Sequence, residues 1–111
     1  MNLLKITEKQ SMFGKSYSSI YATDRQFFKI HVGVNVGEIE IGNIDEDSLE
    51  LFSMYINGDE RGKGYGKEAF LKMLDYFKKD VILMADKDSL KFWKKMGFKK
   101  YEGSYLIYKR K

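Results

Sequence analysis

The sequence predicts an α/β chain of the α+β type: a mixed, mostly antiparallel sheet holding one parallel β–α–β unit. Three observations predict it. Residues 36–44 alternate apolar and polar almost strictly with a period of two, and after the polar turn Asp45-Glu46-Asp47 the run Ser48 to Ile56 reads as the next strand. A glycine-rich turn then opens a stretch with Phe70, Met73, Leu74 and Phe77 on one helical face, and the short apolar run Val81–Ala85 follows it. The last dozen residues form two strand-like runs around Gly103-Ser104. With 111 residues, 43% hydrophobic and 15% aromatic, the chain suits a single domain with one core.

Taken in order, Leu3 to Thr7 reads as a first strand. Residues 8–26 read as turns, marked by Gly14, serines and Asp24-Arg25, with Tyr17 to Thr23 as a short strand or a single helical turn. Phe27 to Val32 is a strand and Gly33-Val34-Asn35 a turn. Val36 to Ile44 and Ser48 to Ile56 complete an antiparallel meander. The helix over Lys67 to Lys79 connects the fourth strand to Val81–Ala85, a crossover that makes those two strands parallel. Asp86 or Asp88 suits the N-cap of a last helix carrying Leu90, Trp93 and Met96, and Gly97 suits its stop. Phe98 to Glu102 and Tyr105 to Lys109 close the chain as a hairpin.

Composition excludes several chemistries. No cysteine means no disulfide, no thiolate metal site and no cysteine nucleophile, and one histidine, His31, argues against a multi-histidine zinc site or a histidine-based triad. No metal is expected. The cysteine-free composition and the start Met1-Asn2-Leu3-Leu4-Lys5, unlike a signal peptide, fit a cytoplasmic protein, and no apolar run is as long as a membrane span. The net charge of +4 conceals a division. Residues 1–60 hold 5 Lys/Arg against 10 Asp/Glu, a net of −5, and residues 61–111 hold 15 against 6, a net of +9. The basic half would attract a phosphorylated cofactor or a nucleic acid, the acidic half a cation such as an amine; solvated faces would look the same.

The stretch Arg61-Gly62-Lys63-Gly64-Tyr65-Gly66 carries the chemistry. A glycine turn opening a helix presents consecutive backbone N–H groups with no Cβ in the way and the positive end of the helix dipole behind them, which suits a pyrophosphate. A Walker A loop fails, because Glu68 follows Gly66-Lys67 and Arg61 stands where a glycine is needed. A dinucleotide fingerprint fits Gly64-Tyr65-Gly66-Lys67-Glu68-Ala69 with Asp86 downstream, but a single β–α–β unit ending in a helix and a hairpin lacks the required architecture.

Arg61-x-x-Gly64-x-Gly66 after a strand, with Ile56 five residues before the arginine, resembles the signature of the GCN5-related N-acetyltransferase (GNAT) superfamily. Phe92-Trp93-Lys94-Lys95-Met96-Gly97-Phe98 resembles its second motif, and the two together extend the resemblance over residues 27–110. The resemblance implies a long helix after the fourth strand and the use of acetyl-CoA. Backbone N–H groups from Gly62, Lys63, Gly64, Tyr65, Gly66 and Lys67, with Arg61, would hold the pyrophosphate. The splayed strand end Met54, Tyr55 and Ile56 would pair with the pantetheine arm, and an N–H there, assigned to Ile56, would stabilise the oxyanion as an amine attacks the thioester.

Without a cysteine, transfer would run directly from thioester to amine. An ammonium of pKa ~10.4 needs a base or a desolvating site. Glu50 on the fourth strand resembles the family's catalytic glutamate; the alternative is a solvent-facing carboxylate. Alternation puts Glu50, Phe52 and Met54 on one face. Glu38 and Glu40 read as surface charges that could also recognise a cationic substrate. Many members use a tyrosine on the last helix as general acid, but Trp93 stands at that position, packing on CoA or in the core, and Tyr101, Tyr105 and Tyr108 are other candidate donors. A thiol of pKa ~8.5 also leaves tolerably without an acid. Asp86 stands where many members carry an asparagine near the pantetheine, or caps the helix. Lys91, Lys94 and Lys95 could reach a CoA phosphate, and His31 has no assigned role.

Residues 8–26 leave little room for the helix pair that covers the acceptor site in most members. An open site would favour an amine on a protein or peptide, and a homodimer would supply the missing wall. Against an acetyltransferase acting on a primary amine stand two other classes: a non-catalytic acyl-CoA-binding module that senses CoA or docks a partner, and a nucleic-acid binder using Lys94, Lys95, Lys99, Lys100, Lys109, Arg110 and Lys111. The last has charge in its favour but no recognition helix or stacking signature.

Overall fold

A computed structural model describes residues 1–11 and 24–110. Its elements are β1 (Asn2–Ile6), β2 (Asp24–Val32), β3 (Val34–Asn43), β4 (Ser48–Ile56), α1 (Tyr65–Phe77), β5 (Asp80–Met84), α2 (Leu90–Lys95), β6 (Lys99–Lys100) and β7 (Tyr105–Tyr108), with 3-10 turns at Glu8–Gln10 and Gly58–Glu60. The strands form one sheet in the order β1-β2-β3-β4-β5-β7-β6. Every neighbouring pair is antiparallel except β4 and β5, as the α1 crossover requires. The mixed sheet, the single parallel unit and the closing hairpin match the expectation; the segment anticipated over Tyr17 to Thr23 lies outside the described residues.

Boundaries shift for identifiable reasons. Gly33 makes the β2–β3 turn alone at φ 72, so Val34 already pairs with Val32 and Val34-Asn35 are strand rather than turn. Asp24 and Arg25, expected in a turn, open β2 opposite Asn43 and Gly42, where Arg25 forms an ion pair with Glu40. The α1 helix begins at Tyr65 directly after Gly64 (φ 82) and ends before Lys78, whose φ of 56 is left-handed. The β3–β4 turn is wound around Asp45: its Oδ1 accepts bonds from the Ser48 hydroxyl at 2.8 Å and from the N–H groups of Asp47 and Ser48 at 2.8 and 2.9 Å. The Ser48 hydroxyl, followed by the Asp47 N–H, holds the Asp45 carboxyl below its ordinary pKa. Lys79 crosses to the same turn, donating to Asn43 Oδ1 at 3.0 Å and the Asp45 carbonyl at 2.8 Å.

Two bulges set which side chain faces where. Between β2 and β3, Ile30 pairs with Gly37 and His31 with Asn35, leaving Val36 as an extra residue. Between β3 and β4, Glu40 pairs with Ser53 and Ile41 with Leu51, leaving Phe52 as the extra residue. One face of the sheet carries Phe28, Ile30, Ile39, Ile41, Leu49, Leu51, Val81 and Leu83, all buried, against α1. Phe70 is the hub of that core, fully buried, with ring centroids of Trp93, Tyr108 and Phe98 at 5.6, 5.5 and 5.3 Å.

Candidate active site

The strands β4 and β5 pair over three rungs, Ser48↔Asp80, Leu49↔Val81 and Glu50↔Ile82. Beyond Glu50 they diverge: β4 follows β3 to Ile56 while β5 follows β7 to Met84. A cleft of about 820 Å³ opens between them, lined among others by Met54, Ile56, Leu83, Asp86, Phe92 and Trp93. Its β4 edge has a definite polarity. The Asn57 N–H donates to the Val36 carbonyl at 2.8 Å, which makes Gly37↔Ile56 a non-hydrogen-bonded rung of the antiparallel ladder. The N–H and C=O groups of Ile56, and of Met54 two residues earlier, therefore point away from β3 into the cleft, while those of Tyr55 point toward β3. Gly37 permits the close approach there, since a Cβ would lie 2.0 Å from the Tyr55 carbonyl oxygen.

Above the cleft the glycine turn meets α1. Gly62 and Gly64 both adopt φ 82, a left-handed conformation that favours glycine. The first helical bond runs from the Glu68 N–H to the Gly64 carbonyl, and the N–H groups from Gly62 to Lys67 meet no backbone acceptor among the described residues. These donors at a helix N-terminus are what an oxyanion group requires. Gly66 lies on the cleft wall: a Cβ would meet Phe92 Cζ at 3.5 Å and Met54 Cε at 3.6 Å, ordinary contact distances. Tyr65 is half-buried against the core, Lys67 is exposed, and the Lys63 ammonium bonds Glu60 at 2.9 Å, which raises the lysine's pKa. Arg61 turns back toward β4: its Nε donates to the Ile56 carbonyl at 2.8 Å, and its guanidinium lies 5.2 Å from the Tyr55 ring centroid.

The face of the sheet opposite α1 carries the carboxylates. Glu38, Glu40 and Glu50 are 2%, 0% and 2% exposed, so none is the surface charge that alternation alone suggested. The Arg25 guanidinium pairs with Glu40 and lies 4.2 Å from the Phe52 ring centroid. Glu50 occupies the last rung before the cleft opens. The grouping of Glu50, Phe52 and Met54 on one face does not hold. The bulge at Phe52 reverses the alternation, so Met54 packs on the core side, against α1, while Glu50 and Phe52 stay on the other face.

Asp86 lies at the cleft rim, exposed, with Oδ1 accepting the Ser89 N–H at 2.8 Å; that bond and the Ser89 hydroxyl lower its pKa. The capping role anticipated for it is thus filled one turn ahead of α2. Trp93 is both core and cleft wall, 7% exposed and edge-on to Phe70 and Phe98. Tyr108 packs in the core against Phe70 and Phe98, and Tyr101 is exposed on the hairpin. Lys91, Lys94 and Lys95 are exposed on α2, and His31 lies in β2 opposite Asn2 and Asn35. Sequence reasoning missed Phe92, Ser89 and Arg25 as parts of the site. Phe92 carried a signal, an aromatic adjacent to Trp93 in a helix too short to bury both. Ser89 and Arg25 carried none.

The profile of the acetyltransferase (GNAT) family matches residues 7–98. No curated protein matches the chain in sequence. Among solved structures, an acetyltransferase from Thermus thermophilus is similar with a TM-score of 0.75 and 13% identity over 96% of this chain and 95% of its own. GCN5 of Tetrahymena is similar with a TM-score of 0.64 and 19% identity over 75% of this chain, and PaiA N-acetyltransferase of Thermoplasma acidophilum, solved in complex with coenzyme A, with 0.62 and 26% over 76%. The chain spans 66% and 58% of the length of these last two. A family match over residues 7–98, joined to a sheet that splays beneath a glycine-opened helix, places the chain in the acetyltransferase (GNAT) family.

Proposed function

We propose that this chain transfers an acetyl group from acetyl-CoA directly to a primary amine, on a peptide or protein or on a small cation. The observation that carries the proposal is the divergence of β4 and β5 after Glu50 beneath the N-terminus of α1. The donors present fit a CoA. Gly62 to Lys67 offer a row of N–H groups to a diphosphate, and the β4 edge offers the N–H groups of Met54 and Ile56 to an extended amide-bearing arm. When bound, acetyl-CoA supplies the activated acyl group.

The chain's own residues would do the rest. The Ile56 N–H, directed into the cleft, would donate to a carbonyl oxygen gaining charge. Glu50, at the apex on the opposite face, would take the proton of the incoming ammonium. The buried carboxylates of Glu38 and Glu40 share that face; Glu40 is paired with Arg25, and Glu38 is the one that would favour a cationic acceptor. A second reading draws on Trp93, whose ring is built into the core where a phenol would serve as acid. It makes the chain a CoA-binding module without turnover.

Two measurements test both. The first is thermal unfolding with acetyl-CoA, CoA, NADH and ATP in parallel, where a ligand at about 100 times its Kd adds about 2.7 kcal/mol. The second is release of CoA thiol over a panel of peptide amines, polyamines and amino sugars. Stabilisation by CoA and acetyl-CoA alone with thiol release supports the transferase. Stabilisation without release on any acceptor supports the binding module. Stabilisation by NADH or by nothing overturns both.

A further inference from the structure

Arg61 is the first residue of the glycine signature, and its cationic side chain stands beside a row of anion-seeking N–H groups. Its geometry points elsewhere. The Nε is committed to the Ile56 carbonyl at 2.8 Å, and the guanidinium covers the Tyr55 ring at 5.2 Å. The same peptide is gripped at its other end, because the Asn57 N–H donates to the Val36 carbonyl at 2.8 Å. Asn57 Nδ2 adds a third tie to the Asn35 carbonyl at 3.3 Å. The Ile56–Asn57 peptide is thus fastened on both sides at the far end of the β4 stretch beyond Glu50, where the strand has no β5 ladder on its cleft side to hold it flat.

We propose that Arg61 is a positioning residue for the β4 edge, acting through Ile56, and not a ligand of the diphosphate. The proposal rests on the acyl-CoA reading for its catalytic consequence, but its structural half stands without it. The five-residue interval between Ile56 and Arg61 then has a physical meaning. The 3-10 turn at Gly58–Glu60 returns the chain so that the side chain of residue 61 reaches the carbonyl of residue 56. A second consequence concerns hydrogen-bond balance. The cleft side of β4 offers N–H and C=O groups from Met54 and Ile56, and Arg61 occupies the Ile56 carbonyl. Two donors and one acceptor remain, an edge biased toward ligand carbonyls. The guanidinium also keeps the Ile56 carbonyl dipole from facing the cleft uncompensated, close to the N–H that would serve an acyl oxygen.

The neutral and the cationic replacement separate the two roles. Arg61→Gln keeps an N–H donor and loses the charge; Arg61→Lys keeps the charge and loses the planar Nε–H; Arg61→Met loses both. The first readout is amide hydrogen exchange of Asn57 and Ile56 by NMR in the full chain without ligand. The second is the Kd for CoA by calorimetry, and the third is kcat and KM on whichever acceptor the screen yields. Positioning predicts faster Asn57 exchange in Arg61→Met, by tenfold or more, and protection restored further by Gln than by Lys. It also predicts a CoA Kd within about threefold of wild type and a loss carried by kcat. A diphosphate ligand predicts the reverse: unchanged exchange, a CoA Kd weakened tenfold or more in Gln and Met, and rescue by Lys. That result overturns the proposal. If the wild-type chain binds no CoA, the acyl-CoA reading fails, and the exchange measurement alone still decides whether Arg61 holds the strand edge.

Discussion

The two faces of the central sheet are built from opposite materials. Toward α1, β3 and β4 present Ile39, Ile41, Leu49 and Leu51, packed with Phe70 and Trp93 in a continuous apolar core. Away from it the same strands present Glu38, Glu40 and Glu50, equally buried, with Arg25 paired to Glu40. Burying apolar area stabilises at about 25 cal/mol per Å², whereas burying a carboxylate costs free energy unless it is paired or hydrogen-bonded. One face therefore holds the fold through apolar contact, and the other buries charge that pairing, as of Glu40 with Arg25, must compensate. Under the proposed reaction, the second face is where the base and the acceptor would meet.

Removing the hub of the apolar face should have the largest effect. Phe70→Ala should cost about 3–5 kcal/mol, and a drop in Tm of at least about 12 °C by calorimetry is the expected sign for a chain of this size. A drop of only a few degrees would mean that Trp93, Phe98 and Tyr108 repack without their common partner. On the charged face, Glu50→Gln should lower kcat by about 10²-fold or more while moving Tm far less than Phe70→Ala. Equal activity would remove Glu50 as the base and leave desolvation of the amine to account for its deprotonation.

Arg25→Met should fall between, because it separates a buried carboxylate from its cation. The Arg25 side chain is 21% exposed, so the destabilisation should be about 2 kcal/mol, below the range for fully buried pairs. Denaturant unfolding would measure it, and no change would show that the pair contributes nothing net. The smallest effect belongs to a site on neither face. Asp45 titrates below its ordinary value of 3.8 in the folded chain because the Ser48 hydroxyl and the turn N–H groups favour its charged form. A depressed folded pKa means stability present above the unfolded pKa and lost as pH falls through the folded one. Asp45→Asn should flatten the fall of unfolding free energy as pH drops below about 4; an unchanged slope would assign that acid sensitivity to other carboxylates.

The alternation of Val36 to Ile44 was enough to separate the two faces of β3, and the spacing of Phe70, Met73 and Leu74 was enough to find the core face of α1. Neither could reveal that Glu38 and Glu40 are buried, because periodicity assigns a side without saying what covers it. The bulge at Phe52 was equally invisible. An extra residue in a strand is a property of the pairing between two strands, and the adjacent apolar Leu51 and Phe52 do not by themselves say that the register slips there. The glycine turn was legible down to its residues because left-handed backbone at Gly62 and Gly64 and an uncapped helix start impose a composition. Arg61 was expected among the pyrophosphate ligands because it heads the signature motif; its bond to Ile56 is a tertiary fact.

The short contact between β4 and β5 has a further consequence. Within the sheet, three rungs join the strands β1 to β4 to the strands β5 to β7, and the Asp80 N–H to Asp47 carbonyl bond and the Lys79 clamp on the β3–β4 turn reinforce them. These two parts nearly coincide with the halves of net charge −5 and +9. The chain is thus built like two oppositely charged pieces seamed at one end, with α1 spanning the join. Cleaved in the exposed turn after Glu60, it is laid out as a split protein whose fragments would steer toward each other electrostatically, with salt concentration setting how fast they find the seam.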